Sequence, residues 1–520
     1  MKNKVTFFFL LITFFCSKNL SAQIEGEQLF GIDQIISINL EFSQVNFFDS
    51  LVENYETSTY MKADLSLTDN TDTYVFADVG VRLKGNSTFN HPNDKKAFKI
   101  DFNKYISGQN YDGLKKLNFS NCFKDPSFLR EKVFFDLCQD AGVPAPRANF
   151  ANVYFNGTLW GFYTVVEQID DQFLDWRIED DEGNLFKAGA NFGGGPGGGN
   201  AAADLVDYGA NQSSYEERYE LKSNEEENDW SDLIEFIDFI NNASDADFEN
   251  EIANKIEWTE YLRSAALDNM FSNLDSYTGS ARNYYIYHNM TTDKWEWVKW
   301  DGNECFGSYG VGGPGGGINM TTLALDYHDA DRPLLERIFE NDNLYNQYLS
   351  EVCYLKANFF NSDYIDAMID ELKPLIQASV YADNNKMYSN ADFDTNTETN
   401  ISSGGGPGGG TTYGLKSFVQ EKNNFLNGAV DCSVGLTENE VNQIYTIYPN
   451  PAKAITLLEW QDNSVRSLVV FNVLGEKVYE ATTKGKTQTS IDISNFANGL
   501  YFVQFFTENG SQTEELVISK

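Results

Sequence analysis

Residues 273–303 read NLDSYTGSARNYYIYHNMTTDKWEWVKWDGN, and this stretch decides how the chain is interpreted. Its runs of aromatic and β-branched residues, 282–288 and 294–300, predict the two strands of a β-hairpin. Asp275 precedes the first strand and Asp301 follows the second, so antiparallel pairing brings both carboxylates to the open end of the hairpin. Paired carboxylates suit a divalent metal with phosphates, or general-base chemistry on a hydroxyl. From spacing alone, ordinary turn or cap aspartates are the commoner explanation.

Further towards the N-terminus, cations are concentrated around a glycine turn. Alternating apolar and polar residues over 79–84 and 97–102 predict β-strands on either side of Gly85-Asn86-Ser87. Backbone N–H groups of such a turn can approach an anion, and lysines can neutralise it. An ordinary hairpin with its charges facing water fits the same pattern. The cations are Arg82, Lys84, Lys95, Lys96 and Lys99.

A helix is predicted over residues 128–141, with Asp125 and Ser127 as candidate capping residues. Glu131 lies near its start. A carboxylate there can hold a nucleotide-binding lysine, as in kinase-type phosphotransferases, or it can simply interact with the helix dipole. The local sequence does not separate these two roles.

The order of predicted elements gives an α+β chain. Residues 23–434 begin as a β-rich lobe, which includes a hairpin across Asn156-Gly157, and continue as an α-rich lobe. Residues 435–520 contain strand-sized runs separated by turns, without helical patterns. This last region is therefore predicted to be a small all-β sandwich.

The N-terminus and the overall charge indicate where the chain works. Residues 1–22 predict a secretory signal peptide, because Lys2 and Lys4 precede a short apolar run and the small residues Ser21-Ala22 end it. No other stretch approaches the ~20 apolar residues that a membrane helix needs. A net charge of −39 argues against nucleic-acid and anionic-lipid partners and favours basic ones. The three histidines argue against a multi-His metal site or a Ser-His-Asp hydrolase.

Several motifs, in this order, resemble the CotH spore-coat kinase family. They are Arg82-Leu-Lys-Gly85-Asn-Ser, Lys95-Lys-Ala-Phe-Lys-Ile-Asp-Phe102, Leu129-Arg-Glu-Lys132, Gly142-Val-Pro-Ala-Pro146, Asn156-Gly-Thr-Leu-Trp-Gly-Phe-Tyr163, Val166-Glu-Gln-Ile-Asp170, Asn273-Leu-Asp275, Asn283-Tyr-Tyr-Ile-Tyr287 and Trp300-Asp301. Each motif alone is weak, and their shared order is specific. The resemblance implies a two-lobed atypical protein kinase that binds ATP and Mg²⁺ or Mn²⁺ between its lobes and phosphorylates Ser or Thr of secreted proteins.

The resemblance also implies roles for the acidic residues. Asp301 matches the metal-binding acid after the hairpin, and Asp275 matches the loop acid before it, either a catalytic base or a second metal partner. Asn283 matches a metal or phosphate contact. Many members read Trp-Asp-x-Asp at the metal acid, whereas this chain has Asn303 at the last position. An amide still ligates through oxygen but adds no charge.

On the nucleotide side, the resemblance assigns Gly85-Asn86-Ser87 and the lysines at 95–99 to the phosphates, with Lys96 and Lys99 as the preferred ATP ligands. Lys116, on the next strand, is the competing lysine. Glu131 is the helix carboxylate of this nucleotide site. Glu167 matches the hinge between the lobes.

The C-terminal region has its own resemblance. Tyr448-Pro-Asn-Pro451, Val470-Phe-Asn-Val-Leu-Gly475, Ile491-Asp-Ile-Ser494 and Ala497-Asn-Gly-Leu-Tyr501 are similar to the type A sorting domain of the type IX secretion system of Bacteroidota. This implies export through the periplasm, by the type IX machinery, to the cell surface or the medium.

Three functions follow as expectations. The first is an exported Ser/Thr protein kinase. The second is a non-catalytic surface or adhesion protein that keeps the kinase-like scaffold, and the third is another ATP-dependent transfer such as nucleotidylation. The retained Asp275, Asp301 and lysine cluster favour the first.

Overall fold

The computed structural model describes residues 24–85, 87–189, 201–309, 318–403, 410–432, 445–460, 465–472, 477–483, 486–507 and 510–520. The chain divides into two compact units, Met1–Asp431 and Cys432–Lys520. The predicted signal peptide and Asn86 lie outside the described residues. The first unit mixes helices and sheets, and the second is built from strands over its described residues.

The first unit opens with a closed barrel of strands. These are β1 (Ile35–Glu41), β2 (Met61–Thr68), β3 (Thr73–Leu83), β4 (Phe98–Asp101), β5 (Lys116–Ser120), β6 (Ala148–Phe155) and β7 (Thr158–Glu167). Their order is β1-β2-β3-β4-β5-β7-β6, and a parallel pairing of β1 with β6 closes the barrel. Alternate residues point inwards: in β2, Met61, Ala63, Leu65 and Leu67 are buried. The interior is therefore an apolar core, and the intervening side chains face outwards.

The predicted hairpin across Asn156-Gly157 is confirmed as β6–β7. Both turn residues have positive φ, 48° at Asn156 and 74° at Gly157. This backbone twist matches the twist of paired strands, which is why Asn-Gly favours the turn.

Short helices surround the barrel, and one longer helix follows β5. They are α1 (Glu27–Phe30), α2 (Phe47–Glu53), α3 (Ser87–Asn90), α4 (Arg130–Asp140) and α5 (Asp171–Arg177). The predicted helix is α4, which begins at Arg130. Asp125 accepts a hydrogen bond from the Arg130 backbone N–H at 2.9 Å and pairs with its guanidinium at 2.7 Å. Asp125 thus fixes the start of α4.

A second sheet carries the hairpin predicted from residues 282–300. Its strands are β8 (Leu185–Ala188), β9 (Tyr219–Leu221), β10 (Tyr284–Asn289) and β11 (Lys294–Lys299), in the order β11-β10-β8-β9. Antiparallel pairing of β10 with β11 sets Tyr284 opposite Lys299 at the open end of the hairpin. A 3₁₀ turn, Gly302–Glu304, follows immediately.

The rest of the first unit is mainly helical, as predicted. The helices are α6 (Ser213–Glu216), α7 (Ser231–Asn242), α8 (Asp245–Lys255), α9 (Trp258–Met270), α10 (Pro333–Glu340), α11 (Asp342–Asn358), α12 (Ser362–Ala382), α13 (Asn390–Asn396) and α14 (Leu415–Ala429). A 3₁₀ turn (Met320–Thr322) and a strand pair, β12 (Ile401–Ser403) with β13 (Gly410–Thr412), complete it. Among the described residues, no helix is both long and apolar enough to cross a bilayer.

The second unit forms two sheets around one apolar core. Its strands are β14 (Tyr445–Tyr448), β15 (Ile455–Trp460), β16 (Ser467–Asn472), β17 (Lys477–Thr482), β18 (Gln488–Asp492), β19 (Gly499–Thr507) and β20 (Gly510–Ile518). The sheet orders are β14-β15-β18 and β17-β16-β19-β20. Leu458, Val470, Ile491 and Val503 are fully buried in the shared core. This all-β arrangement agrees with the strands predicted from the sequence.

A dry ion pair ties the loop before β4 to the end of α12. Lys95 Nζ lies 2.7 Å from Asp383 Oδ2, and both side chains are completely buried. Asp383 also accepts a hydrogen bond from the Phe162 backbone N–H of β7 at 3.0 Å. Removal of the lysine would leave a buried carboxylate without its counterion.

We therefore expect Lys95→Met to lower the free energy of unfolding by about 3–5 kcal/mol. The matched control is Lys62→Met, which breaks the exposed Lys62–Asp78 pair and is expected to lower it by less than ~1 kcal/mol. Urea denaturation followed by tryptophan fluorescence measures both. Equal losses in the two variants would contradict the structural importance of the buried pair.

Candidate functional site

The outer surface of β3–β5 carries a row of cations. Val81 and Leu83 are buried in the barrel core, so strand alternation turns Arg82 and Lys84 to the opposite face. Arg82 lies directly opposite Lys99 in the antiparallel register of β3 and β4, so both side chains are on this same face. The Lys84 ammonium donates a hydrogen bond to Asn118 Oδ1 at 3.2 Å.

These side chains and Lys187 of β8 form one cluster, the basic face: Arg82, Lys84, Lys99, Lys116 and Lys187. Burial is the largest cause that holds the pKa of Lys99 well below its usual range, and the positive charges of the other four members lower it further. Burial also lowers the pKa of Lys187. A crowded set of cations in a chain of net charge −39 is suited to a polyanion such as a triphosphate.

The opposite side of the site is acidic and is built by α4 and the turn after β11. Asp301 has a φ of 57°, and Gly302 follows it against Phe134 of α4. A Cβ added to Gly302 would lie 2.6 Å from Phe134 Cδ1, so the close approach of the turn to α4 requires glycine here. Glu131, one turn before Phe134, is buried on the same helix. This packing holds Asp301 and Glu131 at one site.

Lys84, Glu131 and Asp301 interact electrostatically. Burial lowers the pKa of Lys84 to about 8, and the negative charges of Asp301 and Glu131 oppose this fall. Burial raises the pKa of Glu131 to about 8; the Asp301 charge adds to the rise and the Lys84 charge opposes it. Burial, together with the charge of Asp275, raises the pKa of Asp301 to about 6. The Lys84 charge is therefore stabilised by the two carboxylates, and each carboxylate charge is stabilised by Lys84.

The structure brings Asp275 to the same site as Asp301. Burial raises the pKa of Asp275, while hydrogen bonds from Ser280 and Asn283 and the positive charges of Lys124 and Arg282 oppose the rise. Asn283 Nδ2 also donates to the Asp275 backbone carbonyl at 2.9 Å, so Asn283 holds the loop that carries this acid.

Glu304 adds a third carboxylate, which the sequence analysis did not select. It is buried and pairs with Lys124 at 2.8 Å. Burial, together with the charge of Asp275, raises the pKa of Glu304 to about 7. The neighbouring Asn303 donates through Nδ2 to the Phe123 carbonyl at 3.3 Å, which leaves its amide oxygen available.

The residues fit a metal that arrives with phosphate oxygens better than a metal enclosed by protein. Within the described part of the chain, no three His, Cys, Asp or Glu side chains are grouped as a complete metal site. Mg²⁺ in nucleotide enzymes commonly uses one or two carboxylates together with substrate phosphates. Asp301 and Asp275, with the amide oxygens of Asn283 and Asn303, meet that requirement.

Other predicted site residues have different surroundings. Lys96 donates to the backbone carbonyls of Phe89, at 2.8 Å, and His91. Lys116, the competing lysine, is 3.3 Å from Asp170. Gly85 has a φ of 83°, with its carbonyl accepting from the Tyr55 hydroxyl, and Ser87 begins α3.

Glu167 is buried in a structural network at the end of β7. It pairs with Arg147 at 2.5 Å and accepts a hydrogen bond from Trp176 Nε1 at 2.9 Å. These contacts occupy its carboxylate within the protein. These contacts do not test the prediction that Glu167 lies at the hinge between the lobes.

Lys96 and Lys99 were the predicted ATP ligands and Lys116 their competitor; Lys84 was counted among the cations but not selected, although a signal for it was present. Lys84 continues the alternation of Val81, Arg82 and Leu83 on the outward side, directly before the glycine turn. Lys187 and Lys124 had no comparable signal, because neither lies within a recognised motif.

The raised pKa of Glu131 has a consequence for stability. Its value in the folded chain, about 8, exceeds the ordinary value of 4.5, so folding retains a proton that the unfolded chain loses. The contribution of Glu131 is therefore most favourable below pH 4.5 and is lost as the pH rises through 8. We expect Glu131→Gln to gain stability relative to wild type between pH 5 and pH 7, by up to about 1.4 kcal/mol per pH unit.

Urea denaturation at both pH values, without added nucleotide, measures this difference. Glu340→Gln, which changes an exposed helix residue, is the control and should track the wild type. A constant difference between Glu131→Gln and wild type across this range would contradict the raised pKa.

In comparison with known proteins, each of the two units matches a family model. Residues 446–519 match the secretion system C-terminal sorting domain. This type IX sorting domain directs the chain to the cell surface or outside the cell. The predicted localisation is thereby confirmed.

The first unit matches a family model over residues 81–403, more than half of the chain, described as CotH kinase protein. The inner spore coat protein H of Bacillus subtilis (strain 168) is 27% identical over 299 residues, which cover 56% of this chain and 76% of that protein. The matched span includes the last three residues of β3, with Arg82, as well as α4, the β10–β11 hairpin and the turn after it, and so every residue assigned to the site. The chain is a member of the CotH kinase family.

Proposed function

We propose that this exported protein is a metal-dependent protein kinase that transfers the γ-phosphate of ATP to Ser or Thr of secreted or surface proteins. One observation carries the proposal: Lys84 at the end of β3 shares a poorly hydrated site with Glu131 of a helix and Asp301 of a turn. Protein kinases use a lysine on a strand, a helix glutamate and a metal-binding aspartate in this combination.

The fold supports the same proposal. In this proposal the barrel serves as the β-rich N-terminal lobe of an atypical kinase, and α7–α14 serve as most of its α-rich C-terminal lobe. The basic face lies on the barrel, whereas Asp275 and Asp301 flank the β10–β11 hairpin. ATP bound at this site would have its phosphates against Lys84 and Lys99.

The acidic residues would complete the reaction. Asp301, with Asn283 and Asn303, would hold Mg²⁺ or Mn²⁺, which when bound neutralises charge on the β- and γ-phosphates. Asp275 would accept the proton of the substrate hydroxyl as its oxygen bonds to the γ-phosphorus. The bond between that phosphorus and the bridging oxygen then breaks, and ADP leaves.

The setting of the reaction follows from export and charge. The chain passes through the periplasm on its way to the surface, so its substrates are secreted or surface proteins. A net charge of −39 attracts basic protein segments and repels acidic ones. Basic Ser- or Thr-containing proteins are therefore the first substrates to test.

A second candidate is a non-catalytic surface protein on the same scaffold. Asn303 replaces a carboxylate that many family members carry, and within the described residues no three-ligand metal group is formed. Both features weaken metal binding by the protein alone. The Bacillus relative is moreover named as a spore coat protein.

The decisive measurement is label transfer from γ-labelled ATP to a basic Ser-containing protein, with Mg²⁺ or Mn²⁺. We expect wild type to transfer label and Asp301→Asn to lose at least about 10²-fold in rate, because a charge that stabilises the transition state is removed. Asparagine tolerates the positive φ at this position, so the turn is preserved. Absence of transfer by wild type would favour the non-catalytic candidate, and label from the α-phosphate would indicate nucleotidylation.

A second measurement separates the candidate lysines. We expect Lys84→Met to lower kcat/KM for ATP by about 10²-fold, since it removes the cation that faces Glu131 and Asp301. Lys96→Met should change kcat/KM by less than about threefold, because its ammonium is hydrogen-bonded to loop carbonyls. Steady-state kinetics on folded, monodisperse protein test both. The reverse order would assign the nucleotide to Lys96.

A further inference from the structure

Lys124 lies in the loop between β5 and α4, outside every motif singled out above. Its ammonium is 2.8 Å from Glu304 Oε2. The glutamate side chain is 6% exposed and the lysine side chain 22% exposed. A buried partner thus fixes Lys124, whose side chain keeps part of its surface exposed to solvent. The ammonium also lies over the rings of Phe123 and Tyr309, 5.7 Å from each centroid.

The backbone around Lys124 is joined to the turn that follows Asp301. The Phe123 carbonyl accepts a hydrogen bond from Asn303 Nδ2 at 3.3 Å, and the Lys124 carbonyl accepts one from Ser308 Oγ at 3.2 Å. Lys124 itself has a φ of 58°. Two hydrogen bonds and an ion pair therefore bind this loop to residues 303–308.

The positive charge of Lys124 also acts on Asp275, where it opposes the rise in the pKa of that carboxyl. Lys84 has the corresponding position beside Asp301 and Glu131. The two lysines thus lie next to different acids of the site. A transferred phosphoryl group moves from the nucleotide towards Asp275, the proposed base, where Glu304 and Asp301 add further negative charge.

We propose that Lys124, held in place by Glu304, binds the γ-phosphoryl group of ATP at the acceptor end of the site. An ammonium has three donors, and one directed at Glu304 leaves two for phosphate oxygens. This cation offsets the repulsion between the phosphoryl group and the carboxylates around Asp275. The inference rests on the proposed nucleotide site and adds a catalytic cation to it.

The test measures ATP and ADP affinities by calorimetry in the presence of Mn²⁺, on the full mature chain. ADP lacks the γ-phosphoryl group, so a cation that binds this group affects ATP alone. We expect Lys124→Met to weaken ATP binding about tenfold and to leave ADP binding unchanged, as for the loss of a charge-assisted hydrogen bond. Lys62→Met, in an exposed ion pair of the barrel, should change neither affinity.

Exchanging the two charges separates phosphate binding from loop bracing. Lys124→Glu combined with Glu304→Lys keeps an ion pair between the segments but moves the cation to the buried position. We expect this double variant to keep the thermal stability of wild type and still lose the preference for ATP, whereas Lys124→Arg should retain most of it. If the double variant instead keeps the preference for ATP over ADP, Lys124 has only a structural role in holding the loop.

The outcomes also distinguish this inference from the kinase proposal. A wild type that transfers no phosphate but shows an ATP preference dependent on Lys124 would overturn the kinase function and support the phosphate site. A wild type that transfers phosphate while Lys124→Met keeps both its rate and its ATP preference would overturn the inference alone. Failure of wild type to bind either nucleotide would overturn both.

Discussion

The site in the first unit depends on desolvated charges that stabilise one another. Lys84 comes from the barrel, Glu131 from α4 and Asp301 from the turn after β11, and none of them is favourable in this setting without the opposite sign nearby. The contact of Gly302 with Phe134 keeps the turn against α4. That contact, between the Gly302 backbone and the Phe134 ring, leaves no room for a side chain at residue 302 and so keeps Asp301 next to the helix that carries Glu131.

The lysines of the N-terminal region have two different kinds of surroundings. Lys95 and Lys96 are held inside the protein, one by a buried carboxylate and the other by loop carbonyls. Lys84 and Lys99 lie on the outward face of the barrel strands, beside Arg82. Lys95 and Lys96 lie in the loop before β4, whereas alternation along β3 and β4 turns Lys84 and Lys99 outwards, so lysines close in sequence have different surroundings.

The two units make different demands on the same protein. The second unit, as a sorting domain, directs the chain to the cell surface or outside the cell, away from the cytoplasm where ATP is made. The first unit presents a basic face suited to a triphosphate, in a chain whose remaining surface is strongly acidic. The supply of nucleotide along the export route is therefore the main physical constraint on the proposed activity.

Much of this architecture was readable from local patterns. The Asn156-Gly157 turn, the β10–β11 hairpin between Asp275 and Asp301, and the strands of residues 435–520 follow from turn chemistry and alternation, which act over a few residues. Helix α4 and the position of Glu131 in it followed in the same way. The family and the export route also came from ordered motifs in the sequence alone.

Tertiary structure alone decided which charged groups meet. Lys124 and Glu304 are 180 positions apart, and Lys187 reaches the basic face from a different sheet. Lys84 is proposed as the nucleotide lysine in place of Lys96 because the folded chain hydrogen-bonds the Lys96 ammonium to loop carbonyls. Desolvation and Coulomb interactions are set by distances in space, and a linear pattern does not contain these distances until the barrel, α4 and the hairpin are packed together.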